Sequence, residues 1–126
     1  MIRFSLDEIK KSKVSSELNF INRGIERESL RVDSSGKISQ TPHPSGLGSA
    51  LTNPYITTDF SEALLELVTP TFNSASECLK FLSDLHVFVN QNLLEESLWP
   101  LSMPCQIDSE GDIPIGNYGT SNQGMM

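Results

Sequence analysis

Residues Gly24 to Val32 read Gly-Ile-Glu-Arg-Glu-Ser-Leu-Arg-Val. Taken as a β-strand, this run places Glu26, Glu28, Leu30 and Val32 on one face, because successive side chains alternate across a strand. Arg27 and Arg31 then project from the opposite face and are read as structural. Two carboxylates are thereby aimed the same way as apolar residues that seek a core. Like charges this close oppose each other's ionisation and resist burial unless a cation sits between them, and a divalent metal is the economical cation. Pattern alone leaves a second reading open, a solvated edge strand whose glutamates and arginines pair across a sheet.

Composition bounds the choice. The chain has 126 residues, long enough for one domain with its own core, although its hydrophobic content of 37% is modest. A net charge of −7 argues against nucleic acid or an anionic membrane surface as partner, since neither attracts an acidic protein. The amino-terminal residues carry acids and no continuous apolar run, so no signal peptide is expected, and no segment reaches transmembrane length. Cys78 and Cys105 have neither CxxC spacing nor histidines clustered around them, which predicts reduced thiols in a cytoplasmic protein and no zinc site.

No repeat or low-complexity linker divides the chain, and one unit is expected. Weak helical periodicity over residues 5–20 (Leu6, Ile9, Val14, Leu18) predicts one or two short helices. A hairpin follows: strand 24–32, a turn at Asp33-Ser34-Ser35-Gly36, and a short strand 37–41. Residues 42–54, rich in Pro, Gly, Ser and Thr, read as a loop. From Tyr55 to Thr69 we expect a loop or helical turn through Asp59 and then a strand closed by Pro70. Glu62 and Glu66 share a face whether this segment is helix or strand, and an amphipathic element with its acids in water is the competing reading.

Residues 74–95 form the clearest helix. Ser74-Ala75-Ser76-Glu77 is a capping box, and Cys78, Leu82, Leu85, Val89 and Leu93 make a core stripe flanked by Phe81 and Phe88. His86 has no second ligand at i+4 and reads as a packing or surface residue. Trp99 to Cys105 is a proline-pinned turn in which Cys105 lacks a nearby base, so a catalytic thiol is not expected. Gly116 to Gly124, rich in glycine and hydroxyls, resembles a loop that approaches a ligand, and its position near the chain's end suggests part of a longer protein.

Five blocks in order carry a resemblance: Gly24–Val32; His43-Pro44 with Leu47-Gly48-Ser49-Ala50-Leu51-Thr52; Ile56-Thr57-Thr58-Asp59-Phe60-Ser61-Glu62-Ala63-Leu64-Leu65-Glu66; Trp99–Cys105; and Tyr118-Gly119-Thr120-Ser121-Asn122. From about Asn22 to Gly124 the chain resembles the amino-terminal part of bacterial glutamate–cysteine ligase of the proteobacterial type. The resemblance implies an α+β fold similar to glutamine synthetase, with an antiparallel sheet lining an active-site funnel and helices outside, of which residues 1–126 would be a truncated part of one catalytic domain. It implies ATP-dependent joining of the γ-carboxyl of glutamate to the amine of cysteine through γ-glutamyl phosphate, the first step of glutathione synthesis. It further implies Mg²⁺ or Mn²⁺, with Glu26, Asp59 and Glu66 sharing one ion, Glu28 helping to hold a second, and Glu62 supporting them. Expected partners are the small molecules glutamate, cysteine and ATP, with neither nucleic acid nor membrane. Two alternatives stay open: the ligase half of a bifunctional glutathione-synthesising enzyme, and a non-catalytic acidic module that binds a cation or a protein.

Overall fold

The computed structural model describes residues 5–12, 14–17 and 20–117. Two short helices come first, α1 (Leu6–Lys11) and α2 (Val14–Glu17). Ser5 caps α1 through a full capping box with Glu8, and no residue of α1 is buried. The first strand, β1 (Glu26–Val32), follows. A turn at Asp33–Gly36 then reverses the chain, with Gly36 at φ 83°, where a side chain would be strained. The Asp33 carboxylate accepts from the Ser35 and Lys37 amides and braces this turn.

The expected strand 37–41 does not form. Isolated bridges remain, Val32 with Ile38 and Lys37 with Gln106. Ser39 and Thr41 are drawn instead into side-chain bonds with Glu96. A second correction concerns residues 55–59. Ile56–Thr58 is a strand, β2, joined through a turn over Asp59–Ala63 to β3 (Leu64–Val68), so the segment is a hairpin and contains no helical turn before the strand. Helix α3 (Ala75–Asn92) matches the apolar stripe closely and stops three residues short of the expected end, because Leu94 turns to φ 55°. Half of its expected capping box is present, Ser74 Oγ accepting from the Glu77 amide. Strand β4 (Ser97–Leu98) completes an antiparallel sheet in the order β2-β3-β1-β4.

The two faces of this sheet are treated differently. Pairing places Ile56, Leu65, Leu67, Ser29 and Arg31 on one face, which α3 covers with Leu82, Val89 and Leu93. Leu65 and Leu67 are fully buried there, and truncating either to alanine in such a layer typically costs about 2–5 kcal/mol. Arg31 is also fully buried. Its guanidinium donates to Glu96, to the Thr41 hydroxyl and carbonyl, and to the Glu62 carbonyl, over 2.6–2.9 Å. Two of those acceptors are neutral carbonyls, so the arginine ties three separate segments together in addition to its ion pair.

On the opposite face the cover is partial. Leu30 and Val32 pack with Ile38, Ala63, Cys105, Trp99, Ile107 and Ile113 in a second cluster, four of whose members come from the chain after β4. This cover ends before Glu28, and the amino-terminal half of β1 is left open. Trp99 Nε1 donates to the Met103 carbonyl at 2.7 Å, closing the expected proline-pinned turn. Cys78 and Cys105 are both buried and unpaired with one another. Among the described residues, no helix is long and apolar enough to cross a membrane.

Candidate functional site

The open part of this face is acidic. Register puts Glu28 directly opposite Glu66, and Glu26 opposite Val68, so Glu26, Glu28 and Glu66 project from the same side of the sheet. Across the other ladder Thr57 pairs with Glu66, which sets Asp59, two residues further along, on that side as well. Like charges directly opposite on antiparallel strands repel. Their effect is legible on Glu66, whose carboxyl is pushed above the ordinary glutamate range by burial and by the charges of Glu26, Glu28 and Asp59. That one residue senses three others electrostatically. Among the described residues, however, no three His, Cys, Asp or Glu side chains are drawn together closely enough to hold a metal as they stand. The donor set is chemically that of a hard divalent cation, four carboxylates and no thiol or imidazole.

A stability test separates this arrangement from an ordinary solvated strand. Glu66→Gln removes one member of the repelling set and should raise the melting temperature of the metal-free chain. Millimolar Mg²⁺ or Mn²⁺ should raise the melting temperature of the unsubstituted protein, and the same substitution should diminish that rise, as should Glu26→Gln. Calorimetric melting curves with and without metal measure both; a Glu66→Gln chain that melts lower without metal would show that the acids do not repel.

Glu62 does not join this face. It lies in the turn before β3, only 8% exposed, and its carboxylate accepts the His43 amide at 2.7 Å and the Asn117 amide at 2.5 Å. The expectation that it shares a face with Glu66 assumed an unbroken helix or strand through residue 62. The turn breaks that periodicity. Phe60 within it adopts φ 52° and is 69% exposed, a left-handed conformation that costs a non-glycine residue roughly 1–2 kcal/mol.

The histidines and thiols are elsewhere. His43 Nδ1 bonds the Thr58 hydroxyl at 2.8 Å, and its ring is held below the ordinary histidine range by burial and by Arg31, with Glu62 opposing. His86 Nδ1 bonds its own helix at the Leu82 carbonyl, 2.9 Å away, in keeping with a packing role. Burial pushes the Cys105 thiol up, the wrong direction for a nucleophile. A cavity of about 790 Å³ lies between residues 41–45 and 92–96, and none of the four acids lines it.

A family model for glutamate–cysteine ligase matches residues 6–126. The chain belongs to the glutamate–cysteine ligase family. It is 57% identical over 107 residues to the glutamate–cysteine ligase of Edwardsiella ictaluri, covering 85% of this chain and 21% of that protein. With the Pseudoalteromonas translucida ligase it shares 50% over 122 residues, covering 97% and 23%. Among solved structures, the glutamate–cysteine ligase of Francisella tularensis in complex with AMP superposes with a TM-score of 0.77 at 42% identity, over 82% of this chain and 21% of that one. A bifunctional glutathione synthetase from Pasteurella multocida gives 0.72 at 37%, over 81% and 15%. The chain thus spans about a fifth of the length of the curated glutamate–cysteine ligases it matches. Its described part is an α+β arrangement of antiparallel sheet and helices, as expected. The glycine- and hydroxyl-rich stretch lies outside the described residues from position 118 onward.

Proposed function

We propose that this chain supplies the metal-holding strands of a glutamate–cysteine ligase, an enzyme that joins the γ-carboxyl of glutamate to the amine of cysteine at the expense of ATP through γ-glutamyl phosphate. The observation that carries the proposal is the uncovered acidic face, where Glu28 opposes Glu66 across β1 and β3 and the charges of Glu26, Glu28 and Asp59 all bear on Glu66. Glu26, Asp59 and Glu66 would hold one Mg²⁺ or Mn²⁺, and Glu28 would contribute to a second. The bound ions supply neutralisation of phosphate oxygens during in-line transfer. The chain's own part is to present carboxylates from a sheet stiffened by Leu65, Leu67 and α3 on its far side, so that only the side chains would have to draw together around the ions. In this reading residues 1–126 belong to one catalytic domain, the sheet lines a funnel with helices outside, and the protein works in the cytoplasm.

Similarity to the Pasteurella multocida enzyme supports a second parent, the ligase half of a bifunctional protein, because 81% of this chain superposes on that enzyme at 37% identity. A chimera tests the shared part of both readings. This chain replaces the corresponding amino-terminal fifth of the Edwardsiella ictaluri ligase, and γ-glutamylcysteine and ADP are measured together. Product should form in equal amounts and require glutamate, cysteine, ATP and divalent metal. A folded chimera that hydrolyses ATP without forming the dipeptide, or forms neither, would refute the assignment.

A further inference from the structure

The turn that carries Asp59 is held from outside. It also has bonds of its own: the Ser61 amide donates to the Asp59 carbonyl at 2.5 Å, the Leu64 amide to the Ser61 carbonyl at 2.9 Å and the Asp59 amide to the Leu64 carbonyl at 3.3 Å, around a left-handed Phe60. Residues 114–117 lie along it. Ser61 bridges Ile115, the Glu62 amide and the Ser61 hydroxyl both donate to the Pro114 carbonyl at 2.8 Å, and the Gly116 amide donates to the Phe60 carbonyl at 2.8 Å. Glu62 closes the arrangement from the interior. One of its carboxylate oxygens takes the Asn117 amide and the other takes the His43 amide of the loop on the opposite side. A carboxylate can accept from both; a glutamine must present an amino group to one of two donors.

We propose that Glu62 is a positioning residue, which fixes the Asp59 turn between the His43 loop and the 114–117 segment and thereby sets the divalent-cation affinity of the acidic face. The inference rests on the metal reading of Glu26, Glu28, Asp59 and Glu66. Both Glu62 carboxylate oxygens are taken by backbone amides, those of His43 and Asn117. Glu62 acts because Asp59, unlike Glu26, Glu28 and Glu66, stands on a turn and not within a strand, so its place depends on what braces that turn.

Two measurements on the 126-residue chain test the proposal. Amide hydrogen exchange compares the unsubstituted protein with Glu62→Gln, and calorimetric titration with Mn²⁺ alone gives the affinity of each. In Glu62→Gln the Asn117 and His43 amides should exchange about tenfold or more faster, and the Mn²⁺ dissociation constant should rise about tenfold, the usual scale for a group that orients a ligand. Asn117→Pro deletes one donor at an exposed position and leaves Glu62 in place, so it serves if Glu62→Gln does not fold; it should weaken Mn²⁺ in the same direction. Faster exchange with unchanged Mn²⁺ affinity would make Glu62 a fastener only and overturn the positioning role, as would unchanged exchange. An unsubstituted chain that binds no Mn²⁺ would instead overturn the metal reading itself.

Discussion

In the chimeric ligase, Glu66→Ala should lower the rate of γ-glutamylcysteine formation by about a hundredfold or more, and Glu26→Ala and Asp59→Ala should do likewise. Phosphoryl transfer leaves the protein little covalent work, so losing a carboxylate that organises the metal removes most of what this part of the chain contributes. Glu66 should be the most damaging of the three, because the three other acids all act on it and it faces Glu28 directly. Cys105→Ser is the control. The thiol is buried within the second apolar cluster and hard to ionise, and amide formation through an acyl phosphate needs no nucleophile from the enzyme. Its effect on rate should stay within a few-fold. Steady-state assays at saturating ATP and metal decide the matter: Cys105→Ser abolishing turnover while Glu66→Ala preserves it would replace the acyl-phosphate route with a thiol mechanism.

The second large effect is on stability. Arg31→Met should cost about 3 kcal/mol or more in urea unfolding, since removing one partner of a buried ion pair strands the other. Here the substitution also deprives the Thr41 and Glu62 carbonyls of donors. Small domains hold only about 5–15 kcal/mol in total, so the variant should be partly unfolded near physiological temperature. Adding Glu96→Leu should restore part of the loss by removing the stranded charge. Acid sensitivity follows from the same cluster. Burial favours the neutral form of Glu96, but hydrogen bonds from Ser39, Thr41 and Arg31 outweigh it and hold the carboxyl below the ordinary glutamate range. A carboxyl depressed in the folded state stabilises fully above its unfolded value, and that contribution disappears as pH falls through the folded one. The acid limb of a pH–stability curve should therefore flatten in Glu96→Gln.

Legibility in the sequence followed the regularity of the backbone. Helix α3 announced itself through an apolar stripe at helical spacing, and β1 through alternation that carries Glu26 and Glu28 with Leu30 and Val32. Residues 55–63 defeated the same reasoning, because a three-residue strand and a turn with a left-handed phenylalanine have no period to read. Glu62 was misplaced for that reason. The expected direction of the core also needed correction. The acids share a face with Leu30 and Val32, yet the main core is on the other face, where Arg31 is buried among leucines. Its partner Glu96 is 65 residues away, and no local pattern links the two. The abrupt change from Glu28 to Leu30 was visible throughout, but its meaning required the 99–113 segment, whose cover begins there.

Strand β1 carries two interleaved messages. Positions 26, 28, 30 and 32 address the open face, and positions 27, 29 and 31 address the helix-covered face. Substitution edits one message and leaves the other intact, whereas inserting or deleting a single residue exchanges them, turning glutamates toward Leu65 and Leu67 and Arg31 out of its ion pair. The spacing of this strand is therefore under a harsher constraint than its composition. Across a library of variants, exchanges at Arg27 should be recovered far more often than any change in length between Glu26 and Val32.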